Sequence, residues 1–359
     1  MPTTPAYLRR MEIPLKISLF FAAMLCIGTA IWLEVRPLAQ GEPRSRKWSV
    51  AALLLAGLLL RIVCAADPFL HEWDERYHAL VAKNIAQSGQ WLLPTLYADA
   101  PLDFDYRNWF AVHIWLHKQP LPTWCMAGAV QLFGVSEWAV RLPSLLLSTA
   151  AIYLTFLLGK RLFSAQIGFW AAFFHAVNGL IIAISTGRAP TDHVDGFFLF
   201  FVEWAVVLAA QYHARDDAPN APRRRLNAMA VGAVMGAAIL CKWLPALIVV
   251  PIYWLLNGAL RPKHPFSDPT PRRPIWHPVG ETLLLLAAAT LVALPWQVYA
   301  ATAFPKPFWI EQQHHWLHIR SVLDGHAEPW WFYFAQAGRV WGELIYLPLG
   351  WLLWQLRNR

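Results

Sequence analysis

The sequence predicts an all-α polytopic membrane protein: about nine transmembrane helices, with juxtamembrane helices in the first outer loop. Three observations carry this expectation. The 359-residue chain is 57% hydrophobic and only 14% charged, where soluble chains are roughly 45–50% apolar and about 25% charged. Its apolar runs repeatedly reach or approach the roughly 20 residues that a helix needs to cross a bilayer. It holds 21 tryptophans, which suits a chain with many membrane–water interfaces, where indole rings settle.

In chain order, the apolar runs place spans at about 13–33, 48–66, 139–158, 166–186, 194–211, 227–241, 244–260, 279–298 and 338–355. The first run is long enough to be a span in its own right and lacks the small-residue cleavage site of a signal peptide. Between the second and third spans lies 67–138, read as one outer loop. Within it, "WDERYHALVAKNIAQSG" sets Tyr77, Leu80, Val81 and Ile85 at helical spacing and ends near Gly89, so a short helix is expected. Leu121–Val135 is apolar but about 15 residues long, short for a span, and is read as a helix lying along the interface.

Orientation follows from the basic residues. Arg36, Arg44, Arg46 and Lys47; Lys160 and Arg161; Arg215 and Arg223–Arg225; Arg261, Lys263, Arg272 and Arg273; and Arg357 and Arg359 all fall on one face under this span list. The positive-inside rule makes that face cytoplasmic. If 121–135 crossed the membrane, these loops would no longer agree. The same parity puts the N-terminus, with Arg9, Arg10 and Lys16, outside. The net charge of +8 therefore reports topology, and no nucleic-acid partner is expected. Cys26, Cys64, Cys125 and Cys241 include no C-x-x-C pair and read as small apolar residues.

The outer face collects 67–138, 187–193 and 299–337. In "HEWDERYH", six ionisable residues crowd into eight positions, among them Asp74 and Glu75. A carboxylate at a membrane surface can act as general base or metal ligand; the same spacing also fits a solvated helix start. His117 and Lys118 precede an apolar helix, and a Lys there can anchor at the interface or contact phosphate. "STGRAPTDHVDG" brings Arg188, Asp192, His193 and Asp195 to the mouth of two spans, where unpaired charge is costly. Lys242 sits at an outer end and can snorkel or meet an anionic headgroup. In 308–334, His314, His315, His318 and His326 crowd with Glu311 and Arg320. A pair such as His315 and His318 is a metal signal only in company, and Arg320 is an anion contact.

Taken in order, "DERYHALVAKNIAQSGQWLLP" (74–94), "HKQPLPTWCMAGAVQLFGVSEWAVRLPSLL" (117–146), "GKRLFSAQIGFWAAFF" (159–174), "GRAPTDHVDGFFLFF" (187–201), "GAAILCKWLP" (236–245), "LPWQVYA" (294–300) and "GHAEPWWFYF" (325–334) resemble the integral-membrane glycosyltransferases of the GT-C fold. The branch they resemble holds the lipid A aminoarabinose transferase and the protein O-mannosyltransferases. The resemblance covers roughly 60–350. It implies an enzyme of the bacterial inner membrane, its active site facing the periplasm, that transfers a sugar with inversion. The implied partners are a polyprenyl-phosphate-linked donor, a lipid or protein acceptor and the surrounding membrane lipids.

Carried over residue by residue, the resemblance makes Asp74 the key carboxylate, with Glu75 beside it, and assigns the second acid to Asp192. Lys118, Arg188, Lys242, Arg320 and His326 are implied to contact donor phosphate. A divalent metal of unknown identity is implied near Asp74, His117, His315 and His318. The sequence departs from the family in "KQP" for K-P-P, in His117 where Glu is usual, and in Trp243 where Gly follows the lysine. Residues 95–113 are longer than usual, and the chain reads as one transmembrane domain over 1–359, short or truncated at its C-terminus. Two non-catalytic readings compete: a polyprenyl-phosphate-sugar binding or transport protein, and an inactive scaffold paralogue.

Overall fold

Residues 6–40, 46–71, 74–97, 112–188, 193–212, 221–259, 278–321, 329, 331–335, 350 and 354 are described by a computed structural model of the chain. Side chains of the first helix are described from Ile13 to Arg36. The elements in order are α1 (Ala6–Gln40), α2 (Arg46–Ala65), α3 (Asp74–Ser88), α4 (Pro120–Phe133), α5 (Glu137–Leu162), α6 (Ala165–Val177), α7 (Gly179–Ser185), α8 (His193–Ala209), α9 (Ala221–Lys242), α10 (Val249–Trp254), α11 (Pro278–Ala303), α12 (Pro305–Arg320) and α13 (Phe332–Ala335). Among the described residues there is no strand beyond one isolated antiparallel bridge, Thr95 to Ile114.

Local sequence explains where these helices start and stop. Ser136 opens α5 by accepting from the Ala139 N–H, and Lys160 and Arg161 occupy its last turn, which suits the helix dipole. Asn178 accepts from the Ile181 N–H at the start of α7, and α6 and α7 meet there at 57°. Pro120 opens α4 and Gly134, at φ 84°, closes it, following the usual placement of these two residues.

Among the described residues, five helices are long and apolar enough to cross a membrane: Ile13–Arg36, Arg46–Ala65, Glu137–Leu162, Pro222–Lys242 and Val279–Ala303. The bent α6–α7 pair adds a sixth if counted as one span. The expected count of about nine is not reproduced. Span 194–211 becomes the 17-residue α8 followed by a tighter turn at Ala210–Tyr212. Span 244–260 breaks into a 3₁₀ turn, α10 and a π turn, because Pro245 and Pro251 interrupt the hydrogen-bond ladder. Span 338–355 lies outside the described residues, apart from single positions.

Side-chain pairs mark the two ends of the bundle. At one end Lys16 meets Asp67 at 3.2 Å, Arg141 meets Glu75, and Lys242 meets Asp195. Gln297 there donates to Gln119 at 2.7 Å. At the other end Arg46 pairs with Glu34 at 3.0 Å and Arg224 with Glu281 at 2.9 Å, while Arg161 donates to the Val207 carbonyl. Basic side chains stand at both ends, with Arg46, Arg161 and Arg224 at the second. Lys16 stands at the first end, so α1 starts at the end that carries Asp67 and Glu75.

The first outer loop packs as a cap. Ala79, Val81, Ala82 and Ile85 of α3 share a buried cluster with Met126, Ala127 and Val130 of α4, and with Val140, Phe197 and Cys241 from the outer ends of α5, α8 and α9. Trp124 of α4 donates to the Trp91 carbonyl at 2.7 Å. This 14-residue helix therefore lies against the loop, as its length predicts.

Small residues let the spans approach. A Cβ on Gly232 would sit 2.1 Å from the Leu285 carbonyl oxygen, and one on Gly236 would sit 2.7 Å from the Val292 Cβ. This G-x-x-x-G pair seats α9 on α11 by close backbone contact. Polar groups inside the bundle are partly paired with one another. Buried Arg61 donates to the Ser148 hydroxyl and the Gly57 carbonyl, and Thr155 bridges His175 and Glu203, while Arg61 Nη2, His175 Nε2 and Glu203 Oε2 have no hydrogen-bond partner.

Candidate active site

At the outer end the polar side chains converge on Glu75. Its carboxylate is 1% exposed and meets the fully buried guanidinium of Arg141, Nε to Oε1 at 2.7 Å and Nη2 to Oε2 at 3.1 Å. His193 Nε2 lies 3.0 Å from Oε1 and His71 Nδ1 lies 2.9 Å from Oε2. Arg141 also donates to the carbonyls of Ala65, Asp67 and Phe69, each at 2.7 Å. One guanidinium thereby fixes the irregular segment 66–71 and the first turn of α3. Burial alone would raise the Glu75 pKa; hydrogen bonds from His193 and Arg141 outweigh it and bring the pKa to about 2.

Glycine completes this knot. Gly187 has φ +72°, and a Cβ there would lie 2.7 Å from Glu75 Oε1 and 2.8 Å from His193 Nε2. Both the backbone angle and the space exclude a side chain.

Glu75 is thus engaged by Arg141, His193 and His71, apart from Asp74. Neighbours on a helix point about 100° apart, so Glu75 faces Arg141 and His193 while Asp74 faces Lys118. Asp74 remains partly accessible, its side chain 17% exposed, with Lys118 Nζ 3.7 Å from Oδ2. This is ion-pair distance, longer than a hydrogen bond.

The remaining expected phosphate contacts are dispersed. Arg188 donates from Nε to the Cys64 carbonyl at 2.8 Å and from Nη2 to Asp67 at 2.7 Å. Lys242 pairs with Asp195. Trp243 follows it at φ +63°, a conformation that disfavours any residue with a Cβ, at the position where the resembled family has Gly. Arg320 ends α12 and is exposed. Asp192 and His326 lie outside the described residues.

The expected metal set is redrawn. Among the described residues, the group whose ligand atoms all come within 4.8 Å of one another is His117, Glu311 and His314. Of the expected ligands only His117 is in it. Asp74 is not, because its carboxylate turns to Lys118. His315 directs Nδ1 to the Glu311 carbonyl at 2.6 Å, one turn back along its own helix, and the His318 side chain is outside the described residues. Burial lowers the His117 pKa despite the opposing pull of Glu311. Burial alone would raise the Glu311 carboxyl, but the neighbouring imidazoles hold it below its ordinary value. Two imidazoles and a carboxylate form a donor set suited to zinc or a similar ion, and Glu311 Oε2 is buried without a hydrogen-bond partner.

Comparison with known proteins accords with this geometry. The family model of dolichyl-phosphate-mannose-protein mannosyltransferases matches residues 117–271. The crystal structure of ArnT from Cupriavidus metallidurans bound to undecaprenyl phosphate superposes with a TM-score of 0.61 at 18% identity, over 82% of this chain and 49% of that one. The chain has the GT-C glycosyltransferase fold. An undecaprenyl phosphate-alpha-4-amino-4-deoxy-L-arabinose arabinosyl transferase of Pseudomonas fluorescens (strain Pf0-1) is 26% identical over 305 residues, 80% of this chain and 45% of that protein. The corresponding transferase of Pseudomonas aeruginosa PAO1 is 27% identical over 313 residues, 84% of this chain and 50% of that protein. The chain is similar to these arabinosyl transferases, and it spans about half the length of the curated relatives it matches.

Sequence reading missed Arg141, Asp67, His193's role and the Glu311–His314 pair. Arg141 carried a signal: an arginine one turn inside an apolar helix has to find a buried acid. Glu311 and His314 stood out in the histidine-rich segment, but their partner His117 is almost two hundred residues away, so local spacing could not pair them.

Proposed function

We propose that this chain is a membrane glycosyltransferase that moves a sugar from a polyprenyl-phosphate donor to a lipid or protein acceptor at the outer, periplasmic end of the bundle. The observation that carries the reading is the division of labour in the Asp74–Glu75 pair. Glu75 is locked in a buried ion pair and holds the start of α3, which leaves Asp74 presented beside Lys118. The names of the related proteins support the donor class: they are arabinosyl transferases of an undecaprenyl phosphate sugar, and the ArnT structure is bound to undecaprenyl phosphate.

Chemically, Asp74 accepts the proton of the acceptor hydroxyl as its oxygen bonds to the anomeric carbon. The bond from that carbon to the phosphate oxygen breaks, and its electron pair leaves with the lipid phosphate. The configuration inverts because attack and departure are on opposite faces. Lys118 stabilises the growing phosphate charge, with Arg188, Lys242, Arg320 and His326 as further contacts. Asp192 orients the acceptor. Glu75, Arg141 and Gly187 hold the geometry without touching substrate. A divalent metal would be held by His117, Glu311 and His314. When bound, it supplies positive charge for phosphate oxygens.

The test uses the purified chain in detergent with polyprenyl-phosphate sugars and a panel of acceptors, wild type beside Asp74→Asn. Release of free polyprenyl phosphate by the wild type, lost in Asp74→Asn while donor binding persists, is the expected result. Binding without release by either protein would favour a binding or transport module. Neither binding nor release would favour a scaffold.

A further inference from the structure

The structure assigns Asp67 a role that no sequence motif gives it. We propose that Asp67, steadied by Lys16 of α1, is a positioning residue that aims Arg188 at the donor phosphate. The inference rests on the polyprenyl-phosphate reading above and adds a specific lever to it.

Asp67 lies just beyond the outer end of α2, its side chain 15% exposed. Three basic side chains meet its carboxylate: Arg188 Nη2 at 2.7 Å, Lys16 Nζ at 3.2 Å and His71 Nε2 at 3.2 Å. Its own backbone carbonyl is held by Arg141 at 2.7 Å, so the carboxylate hangs from a fixed point. Burial alone would raise the Asp67 pKa, but Lys16, Arg188 and His71 outweigh it and keep the group below its ordinary value. The anion is thus present whenever the site works near neutral pH.

Arg188 is held on two sides. Nε donates to the Cys64 carbonyl and Nη2 to Asp67. The side chain is nevertheless 44% exposed. A guanidinium is a planar fork, so fixing Nε and Nη2 fixes the direction of the remaining N–H groups. They can then meet an anion without losing rotamer freedom at that moment. Arg188 directly follows Gly187, whose contact with Glu75 and His193 sets the backbone.

Lys16 makes α1 part of this support. Asp67 faces three cationic or imidazole partners, so the loss of Lys16 leaves two in place. The neighbouring imidazole of His71 connects Asp67 to Glu75, and a change at Asp67 is felt on both sides of the site.

Two opposite expectations separate aiming from simple neutralisation. If Asp67 aims Arg188, its removal weakens phosphate binding. If it only competes with phosphate for Arg188, its removal tightens binding. The probe is a polyprenyl phosphate carrying no sugar, titrated onto the full chain in detergent. Wild type is compared with Asp67→Asn, Asp67→Glu, Lys16→Gln, Arg188→Gln and the Asp67→Asn/Arg188→Gln double variant. Each is checked for monodispersity and unfolding midpoint.

Aiming predicts roughly tenfold weaker binding for Asp67→Asn, the scale of one hydrogen bond to a charged group. Asp67→Glu restores part of it, Lys16→Gln weakens binding about twofold as an exposed pair does, and Asp67→Asn has no further effect once Arg188 is Gln. In turnover the change falls on KM for the donor, with kcat kept. Unchanged or tighter binding by Asp67→Asn, or full additivity in the double variant, overturns the inference. Absence of binding by the wild type overturns the donor reading beneath it.

Discussion

Replacing Arg141 by Met tests the knot on which the outer loop depends. Methionine keeps the length and apolar bulk of the arginine stem but removes five donors. Glu75 then stays buried with His71 and His193 but no guanidinium, and the carbonyls of Ala65, Asp67 and Phe69 lose their donor. The structure gives the scale in two ways. A carboxyl whose pKa falls from 4.5 to about 2 on folding contributes about 3 kcal/mol at neutral pH. Stripping one partner from a buried pair costs about 3–5 kcal/mol. The first figure is shared between His193 and Arg141, and the second sets the scale for removing one partner. The direction with pH follows from a depressed folded-state pKa. The contribution is complete above the unfolded value near 4.5 and is lost as pH falls toward about 2. In the variant the main compensating cation is gone, so protonating Glu75 relieves the buried charge. Thermal unfolding in detergent, followed by tryptophan fluorescence from pH 7 to pH 3, reads both effects. The expected result is a midpoint lower by roughly 5–10 °C at pH 7, with a gap to wild type that narrows on acidification. A variant that unfolds at the wild-type midpoint, or a gap that stays constant with pH, would refute the reasoning.

Other expectations follow from the same geometry. Gly187→Ala places a Cβ against Glu75 and His193 at a positive φ; overpacking of this kind costs about 1–3 kcal/mol, and a midpoint equal to wild type would show that the turn can yield. Gly236→Leu wedges α9 off Val292 and Ala289 of α11, so detergent stability falls by a similar amount while Gly280→Leu, with open space around it, changes little. Zinc titration followed calorimetrically should weaken by roughly tenfold or more in His117→Ala and in His314→Ala, and stay near wild type in His315→Ala; equal effects from His314 and His315 would argue against the observed grouping.

Much of the fold was legible because a membrane imposes simple rules. Long apolar runs had to become helices, and 13–33, 48–66, 139–158, 227–241 and 279–298 all did so as spans. Leu121–Val135 was too short to cross, and it packs against α3 as its length required. Arg46, Arg161 and Arg224 meet at one end of the bundle, and Lys16 beside Asp67 places the start of α1 at the other. Where local backbone chemistry intruded, the reading was coarser. Pro245 and Pro251 break 244–260, and Asn178 bends 166–186 at a position that hydropathy alone does not mark. The site was legible in part. Asp74, Lys118 and His117 were found because charge is conspicuous beside apolar sequence.

By itself the sequence determined the helices and the segments that hold the candidate site, since these depend on composition and local spacing. Only the tertiary structure decided what each charged group does. Asp74 and Glu75 are neighbours in the chain and opposites in role, because the helix turns one toward Lys118 and the other onto Arg141. His117 meets Glu311 and His314, and Asp67 meets Lys16 and Arg188, across distances in sequence that no spacing rule spans. Burial and partnership set the roles of ionisable groups, and both are made by the packing of distant segments.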